Sequence, residues 1–131
     1  MLSDWIAVQL GADIFIDPSN GSTLGLFNLQ TRNFDKNIFE MSDLDFKFSN
    51  AKVSESGTII GEVNNKASKE TGLKEGTKIV MGGGDAQLGT IGVGAVNEKD
   101  AVILGGTFWQ QEINMKNPIV DKDARIRINC S

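Results

Sequence analysis

The sequence contains no histidine, one cysteine and two prolines. Without histidine, neither a Ser-His-Asp triad nor a histidine-ligated metal site can be built. A single cysteine, Cys130, cannot form an internal disulfide, a usage that fits a reducing compartment and an expected cytoplasmic location. Basic residues are also few. Thirteen Lys and Arg against 17 Asp and Glu leave a net charge of −4, and the lysines form no block. That excludes the electrostatic footprint of a nucleic-acid binder. No apolar run approaches the roughly 20 residues of a membrane span. Met1-Leu2-Ser3-Asp4 lacks the basic start of a signal peptide. Neither nucleic acid nor a membrane is therefore an expected partner.

Glycine is what the sequence has in quantity. Fifteen glycines in 131 residues imply tight turns and close backbone approaches rather than a disordered tail. The hydrophobic content, 40%, is slightly low but adequate for a core. The length falls within the range of one domain. There is no internal repeat and no low-complexity stretch.

The order of elements reads as helix-rich, then α/β, then β. Ser3 or Asp4 can cap a helix through Leu10, with Trp5, Ile6 and Leu10 as apolar anchors and Gly11 as its stop. Asp13 to Asp17 is extended, and Asp17 to Thr23 is a polar turn cluster. Leu24 to Leu29 is apolar. Asn33 to Met41 reads as a short helix holding Phe34, Ile38, Phe39 and Met41 inward. Phe46 to Val53 reads as extended and Gly57 to Val63 as a strand or turn. Asn65 to Thr71 reads as a helix closed by Gly72 in the left-handed C′ position. A helix opens after Asp85 and runs to near Val96. Asn97 to Asp100 is a polar turn and the best candidate for a domain change. Ala101 to Leu104, Trp109 to Asn114 and Arg125 to Asn129 read as antiparallel strands.

Two glycine-rich patches carry the chemistry. Lys78-Ile79-Val80-Met81 leads into Gly82-Gly83-Gly84-Asp85-Ala86-Gln87, and Ala101-Val102-Ile103-Leu104 leads into Gly105-Gly106-Thr107-Phe108-Trp109. Each reads as a buried strand ending in a tight turn. Asp85 sits at a strand-to-helix junction, where a carboxylate is exposed at the carboxyl edge of a sheet. It is either a general base for a substrate hydroxyl, with Gln87 beside it, or a plain helix N-cap. Gly105-Gly106-Thr107 is either an anion nest for phosphate oxygens or a hairpin turn. Neither patch has the spacing of a Walker A loop or of a dinucleotide fingerprint. Asp17-Pro18-Ser19-Asn20 reads locally as a type I turn. Trp109 reads as core or as a pocket wall. Asp121 to Asp123 reads as a solvated loop, and Cys130 as incidental. Nothing supports a metal cage. Any metal is expected to be magnesium carried in with nucleotide.

Several blocks together form a recognisable series: Leu2-Ser3-Asp4-Trp5-Ile6-Ala7, Asp17-Pro18-Ser19-Asn20, Thr31-Arg32-Asn33-Phe34, Gly82 to Gly89 and Leu104 to Gln111. In this order they resemble the FGGY carbohydrate kinases across nearly the whole chain. The last two blocks look most like the autoinducer-2 kinase branch of that family. The resemblance implies a two-lobed, actin-like fold whose lobes are RNase H-like α/β units, with the active site in the cleft between them. It implies ATP and Mg²⁺ as cofactors of the full-length parent and a small sugar-like molecule as substrate. By motif, Asp85 resembles the base that accepts the substrate proton, Gln87 a substrate contact, and Gly106 and Thr107 the turn that holds ATP phosphates.

The resemblance also implies a fragment. Residues 1–97 would be the later part of the first lobe, and residues 98–131 the first strands of the second. The first lobe's Asp-x-Gly-Thr phosphate loop and the later adenosine-binding segment have no counterpart here. A truncated reading frame and an excised piece both fit a chain opening on Met1. The parent reaction implied is phosphorylation of a hydroxyl on autoinducer-2. The alternatives are a kinase of an ordinary pentulose or polyol and a non-catalytic interaction module. Strand edges left without partners lead us to expect a homodimer.

Overall fold

Four separate two-stranded ladders, rather than one continuous sheet, carry the strands. In a computed structural model that describes residues 1–107 and 109–131, helix α1 (Leu2–Leu10) is followed by β1 (Phe15–Ile16), α2 (Pro18–Ser22), β2 (Phe27–Asn28), β3 (Asn33–Phe34) and α3 (Lys36–Met41). A 3₁₀ turn (Phe46–Phe48) then leads to β4 (Lys52–Val53), β5 (Ile59–Glu62), α4 (Asn65–Thr71), β6 (Lys78–Val80), α5 (Asp85–Gly92), β7 (Ala101–Gly105) and β8 (Trp109–Ile113). Strands β1 and β4 pair in parallel, and β2–β3, β5–β6 and β7–β8 pair antiparallel.

The main core gathers where α1, α4 and the β5–β6 hairpin meet. Ala12, Ile60, Val63, Ala67, Ile79 and Met81 are buried there, with Ala7, Leu10 and Phe15 packed against them. Alternation along β6 turns Ile79 inward and leaves Val80 exposed, as a half-buried strand requires. Gly61 is needed at this junction. A Cβ on it would lie 2.8 Å from the Ala12 Cα, so β5 approaches the end of α1 only because that side chain is missing.

A second cluster is aromatic. Phe27, Phe34, Phe39 and Phe46 run edge to face with centroid spacings of 4.5, 5.9 and 5.2 Å. Such contacts add to burial. Phe39 is 1% exposed, and its burial alone contributes about 1.5–3 kcal/mol.

Helix α4 follows the sequence reading closely. Asn64 caps it through Oδ1, which accepts the Ala67 N–H at 2.8 Å, and Gly72 closes it at φ +79°. Other expectations need correction. Trp5 and Ile6 do not anchor α1. Both are exposed, because only the Ala7 and Leu10 side of the helix faces the core. Asn33 to Met41 divides into β3 and α3, and Met41 is 87% exposed. Asp35 interrupts the segment in extended backbone and caps α3 by accepting the Asn37 N–H at 2.9 Å. Phe46 to Val53 is a 3₁₀ turn and a short strand rather than one extended segment. Helix α5 ends at Gly92, where Gly94 at φ +79° breaks the spiral before Val96. Arg125 to Asn129 forms no strand. This tail is instead stitched to the α2 region, where the Cys130 N–H donates to Ser22 Oγ at 3.0 Å.

Candidate functional site

The glycine run before Asp85 is held by a residue more than sixty positions upstream. Asp17 is fully buried at the amino end of α2, where Oδ1 accepts the Asn20 N–H at 3.0 Å and Oδ2 accepts Asn20 Nδ2 at 2.7 Å. The Ser19 hydroxyl donates to Asp17 Oδ1. Ser19 Oγ in turn accepts the buried Gly84 N–H at 2.7 Å. The cluster is therefore a capped helical turn, not a free-standing type I turn. Pro18 opens it because its missing N–H removes a donor that the first helical turn leaves unpaired. The glycines allow the approach. A Cβ at Gly83 would lie 2.9 Å from Ser56 Oγ and 3.3 Å from Ser19 Oγ. At Gly84 a Cβ would collide with Gln87 Oε1.

This loop settles the structural role of Asp85. The N-cap of α5 is Gly84, which makes no side-chain cap bond, and Asp85 is the first helical residue. Its Oδ1 accepts the adjacent Ala86 N–H at 2.8 Å. The N-cap reading is therefore overturned, and the Asp85 side chain is exposed. Helix N-termini favour negative charge, so a carboxylate is well placed there.

The second patch faces the first. Strands β7 and β8 pair from Ala101–Ile113 to Gly105–Trp109, with Val102 opposite Glu112 and Leu104 opposite Gln110. The Val102 and Leu104 face turns toward α5, where a Cβ on Gly89 would lie 3.7 Å from Leu104 Cδ2. The opposite face is open. Ile103 is 68% and Trp109 78% exposed, so β7 is not a buried strand and Trp109 is not core. Phe108 lies outside the described residues. Gly106 and Thr107 are exposed, and a Cβ at Gly106 would have nothing within 4 Å among the described residues.

One cleft of about 1100 Å³ joins these parts. Asp85 and Gln87 line it from α5, Gly106 and Thr107 from the β7–β8 turn, and Gln110 and Glu112 from β8. All four residues singled out from sequence thus share one cavity. Arg32 lines its rim, fixed by Nε at 2.8 Å from Glu55 Oε1 and Nη2 at 2.7 Å from Glu55 Oε2. These bonds hold the Glu55 carboxyl below its usual range and raise the Arg32 guanidinium. Glu112 behaves oppositely. Burial first, and the Asp85 charge second, push its carboxyl above the ordinary range.

Sequence reasoning missed Ser19 and Glu112. The signal for Ser19 was its place in an Asp-Pro-Ser-Asn capping pattern, but its contact with Gly84 is long-range. The signal for Glu112 was its alternation with Gln110 along β8. Asp121 to Asp123 is a loop with Lys122 and Asp123 exposed, and Asp121 is bound within it to Arg125, whose Nη2 lies 2.9 Å from Oδ1. Among the described residues, no group of three or more His, Cys, Asp or Glu side chains is placed to hold a metal ion. Among them, no helix is long and apolar enough to cross a membrane.

Comparison with known proteins places this arrangement. Residues 1–92 match the N-terminal domain of the FGGY family of carbohydrate kinases. Autoinducer-2 kinases of Yersinia pestis and Yersinia pseudotuberculosis are 46% identical over 129 residues, spanning 98% of this chain and 24% of theirs. This chain therefore spans about a quarter of the length of those relatives. Crystal structures of a ligand-bound xylulose kinase and a gluconate kinase, both from Lactobacillus acidophilus, superpose with TM-score 0.84 at 24% identity, over 94% of this chain and 25% of each kinase. The likeness establishes the fold as a portion of the sugar-kinase fold, and with the matched domain and the Yersinia relatives it shows that this chain belongs to the FGGY family of carbohydrate kinases.

Proposed function

We propose that this chain is the cleft-forming segment of an ATP-dependent kinase that phosphorylates a hydroxyl of autoinducer-2 in its linear dihydroxypentanedione form. Residues 1–97 complete the first lobe and residues 98–131 open the second. The observation that carries the reading is the shared cleft, with Asp85 on one wall and the Gly106–Thr107 turn on another. The 46% identity to autoinducer-2 kinases supports the choice of acceptor. The parent enzyme is assigned to the cytoplasm.

Each residue has a definite task in this reading. Asp85 accepts the proton of the acceptor hydroxyl as that oxygen attacks phosphorus. Its Oδ1 is occupied by the Ala86 N–H, which leaves Oδ2 to take the proton. Gln87 hydrogen-bonds a neighbouring acceptor oxygen. The open space at Gly106 lets phosphate oxygens approach the backbone, and Thr107 adds a hydroxyl donor. ATP would supply the phosphoryl group, and Mg²⁺ carried with it would offset the phosphate charge. The metal is assigned to the nucleotide.

Positioning by both lobes provides much of the rate in phosphoryl transfer. The 131-residue chain alone is accordingly assigned no turnover. A coupled ADP-release assay with dihydroxypentanedione, xylulose and glycerol tests this, and turnover near about 1 s⁻¹ by the chain would contradict it. In a full-length kinase carrying this segment, Asp85→Asn should retain acceptor binding and lower kcat by roughly 10²–10⁴-fold. A near-normal kcat would remove Asp85 as the base. Faster turnover of xylulose than of dihydroxypentanedione would replace the acceptor and leave the mechanism standing.

A further inference from the structure

We propose that Glu112 is a second carboxyl of the acceptor pocket, one that accepts a hydrogen bond from a substrate hydroxyl while Asp85 serves the reacting one. The inference rests on the kinase reading above and extends it to a residue outside the two glycine patches.

The β7–β8 register fixes where Glu112 points. It pairs with Val102, two positions before Leu104, and both lie on the hairpin face turned toward α5. Gln110, two residues earlier on β8, shares that face, and its Nε2 donates to Glu112 Oε1 at 2.9 Å. Glu112 is half-buried and lines the same cleft as Asp85 and Gln87. Residues 109, 111 and 113 alternate onto the other, more exposed face, from which Gln111 and Ile113 also reach the cleft. Strand geometry puts Glu112 on the half-buried face of the hairpin, the one that packs toward α5.

One protein donor reaches it among the described residues. A carboxylate has about four acceptor sites. Here Gln110 serves one oxygen. Burial raises the proton affinity of the group, and the Asp85 charge adds to the effect. The other charged groups on the cleft are occupied or distant in role. Lys116 pairs with Glu98, Arg125 with Asp121, and Arg32 with Glu55, while Arg127 donates to the Thr23 carbonyl oxygen. A half-buried carboxyl can exchange a bound water for a substrate hydroxyl and keep its hydrogen bonding. A polyhydroxylated acceptor carries such donors. Asp85 and Glu112 in one cleft would give it two points of attachment, fixing the hydroxyl to be phosphorylated relative to its neighbours.

The test compares three variants in a full-length kinase carrying this segment, with dihydroxypentanedione and xylulose as probes. Glu112→Val removes the carboxyl but keeps a β-branched residue suited to the strand. It should raise the acceptor KM roughly 10–100-fold, the range for a hydrogen bond to a charged group, with kcat within about threefold of the parent and the ATP KM unchanged. Glu112→Gln keeps an acceptor oxygen and should recover most of the loss. Asp85→Asn should instead lower kcat. If Asp85→Asn lowers kcat but Glu112→Val leaves the acceptor KM unchanged, the Glu112 assignment is wrong and the kinase reading survives. If Asp85→Asn leaves kcat unchanged, the reading of the base fails independently of Glu112. A carboxyl NMR titration of the 131-residue chain supplies a readout without turnover. The Glu112 midpoint should fall toward the ordinary carboxyl range in Asp85→Asn, and an unmoved midpoint would show that the two groups do not share the cleft.

Discussion

Ser19 Oγ and the Gly84 N–H are bonded at 2.7 Å across 65 residues of sequence, which makes the α2 cap the anchor of the loop that presents Asp85. Both groups are buried. Ser19→Ala would leave the Gly84 N–H without an acceptor and Asp17 Oδ1 without the hydroxyl. The expected loss of stability is about 1–3 kcal/mol, the desolvation penalty of an unmade buried bond. Urea unfolding of the chain measures it. Hydrogen exchange at the Gly84 amide gives the local readout, and that amide should exchange faster in the variant. Unchanged exchange at Gly84 would show that the contact does not hold the loop.

Gly61 provides a test of packing in the main core. A Cβ there would stand 2.8 Å from the Ala12 Cα and 3.1 Å from the Ala12 Cβ. Backbone cannot yield as a flexible side chain can. Gly61→Ala should therefore destabilise by about 1–3 kcal/mol, the usual range for overpacking, and lower Tm. The comparison is Gly57→Ala, where a Cβ would have open space but φ is +86°. That variant is expected to be strained by backbone conformation alone. Its Ile79 amide, opposite Gly61 in the ladder, should stay protected from exchange, whereas that of Gly61→Ala should not.

Asp121 and Arg125 form the one pair whose titration is displaced far enough to set a pH window. Arg125 donates Nε at 3.0 Å and its backbone N–H at 2.8 Å to Oδ2, and Nη2 at 2.9 Å to Oδ1. The guanidinium, then the backbone N–H, lower the Asp121 carboxyl from 3.8 to about 2. The folded value lies below the unfolded one. The pair's contribution is therefore fully present above about pH 4 and lost as the pH falls toward about 2. Carboxyl NMR of Arg125→Ala should show the Asp121 midpoint moved up toward 3.8. The pair lies near the surface, so global stability should change little. A midpoint that stays near 2 would assign the shift to another cause.

What the sequence disclosed depended on how local each determinant was. Helix α4 was legible because Asn64, Gly72 and the pattern between them are adjacent in sequence. The two glycine patches were legible as strand-ending loops for the same reason. The role of Asp17 was not, because an Asp-Pro-Ser-Asn turn and the first turn of a capped helix begin with the same residues. The Gly21 N–H bonded to the Asp17 carbonyl oxygen at 2.8 Å is what makes the turn helical. Asp85 looked like a cap because the true cap, Gly84, has no side chain to announce itself. Arg125 to Asn129 alternates like a strand, yet no strand partners it among the described residues, and its backbone bonds to Ser22 instead. Burial of β7 was misread because its apolar run gives no sign of which face is covered.

The uncovered face of β7–β8 leads to the final prediction. Ile103, Trp109 and Ile113 project from the side of the hairpin away from α5, each more than half exposed. A two-stranded ladder with an apolar outer face and unpaired edges is a surface that tends to acquire a partner. The occupant we expect for the isolated chain is a second copy, because the same face on two copies can pair about a two-fold axis and bury both tryptophans. Light scattering coupled to size exclusion at micromolar concentration should give a mass twice the 14.1 kDa of the chain. Ile103→Lys places a charge at the centre of that face without touching the Val102–Leu104 side, and should restore the monomer. Trp109 emission should shift to the red in parallel, with Trp5→Phe used to isolate that signal. A 14.1 kDa species at every concentration, with one cooperative unfolding transition, would show that the hairpin tolerates its open face in water.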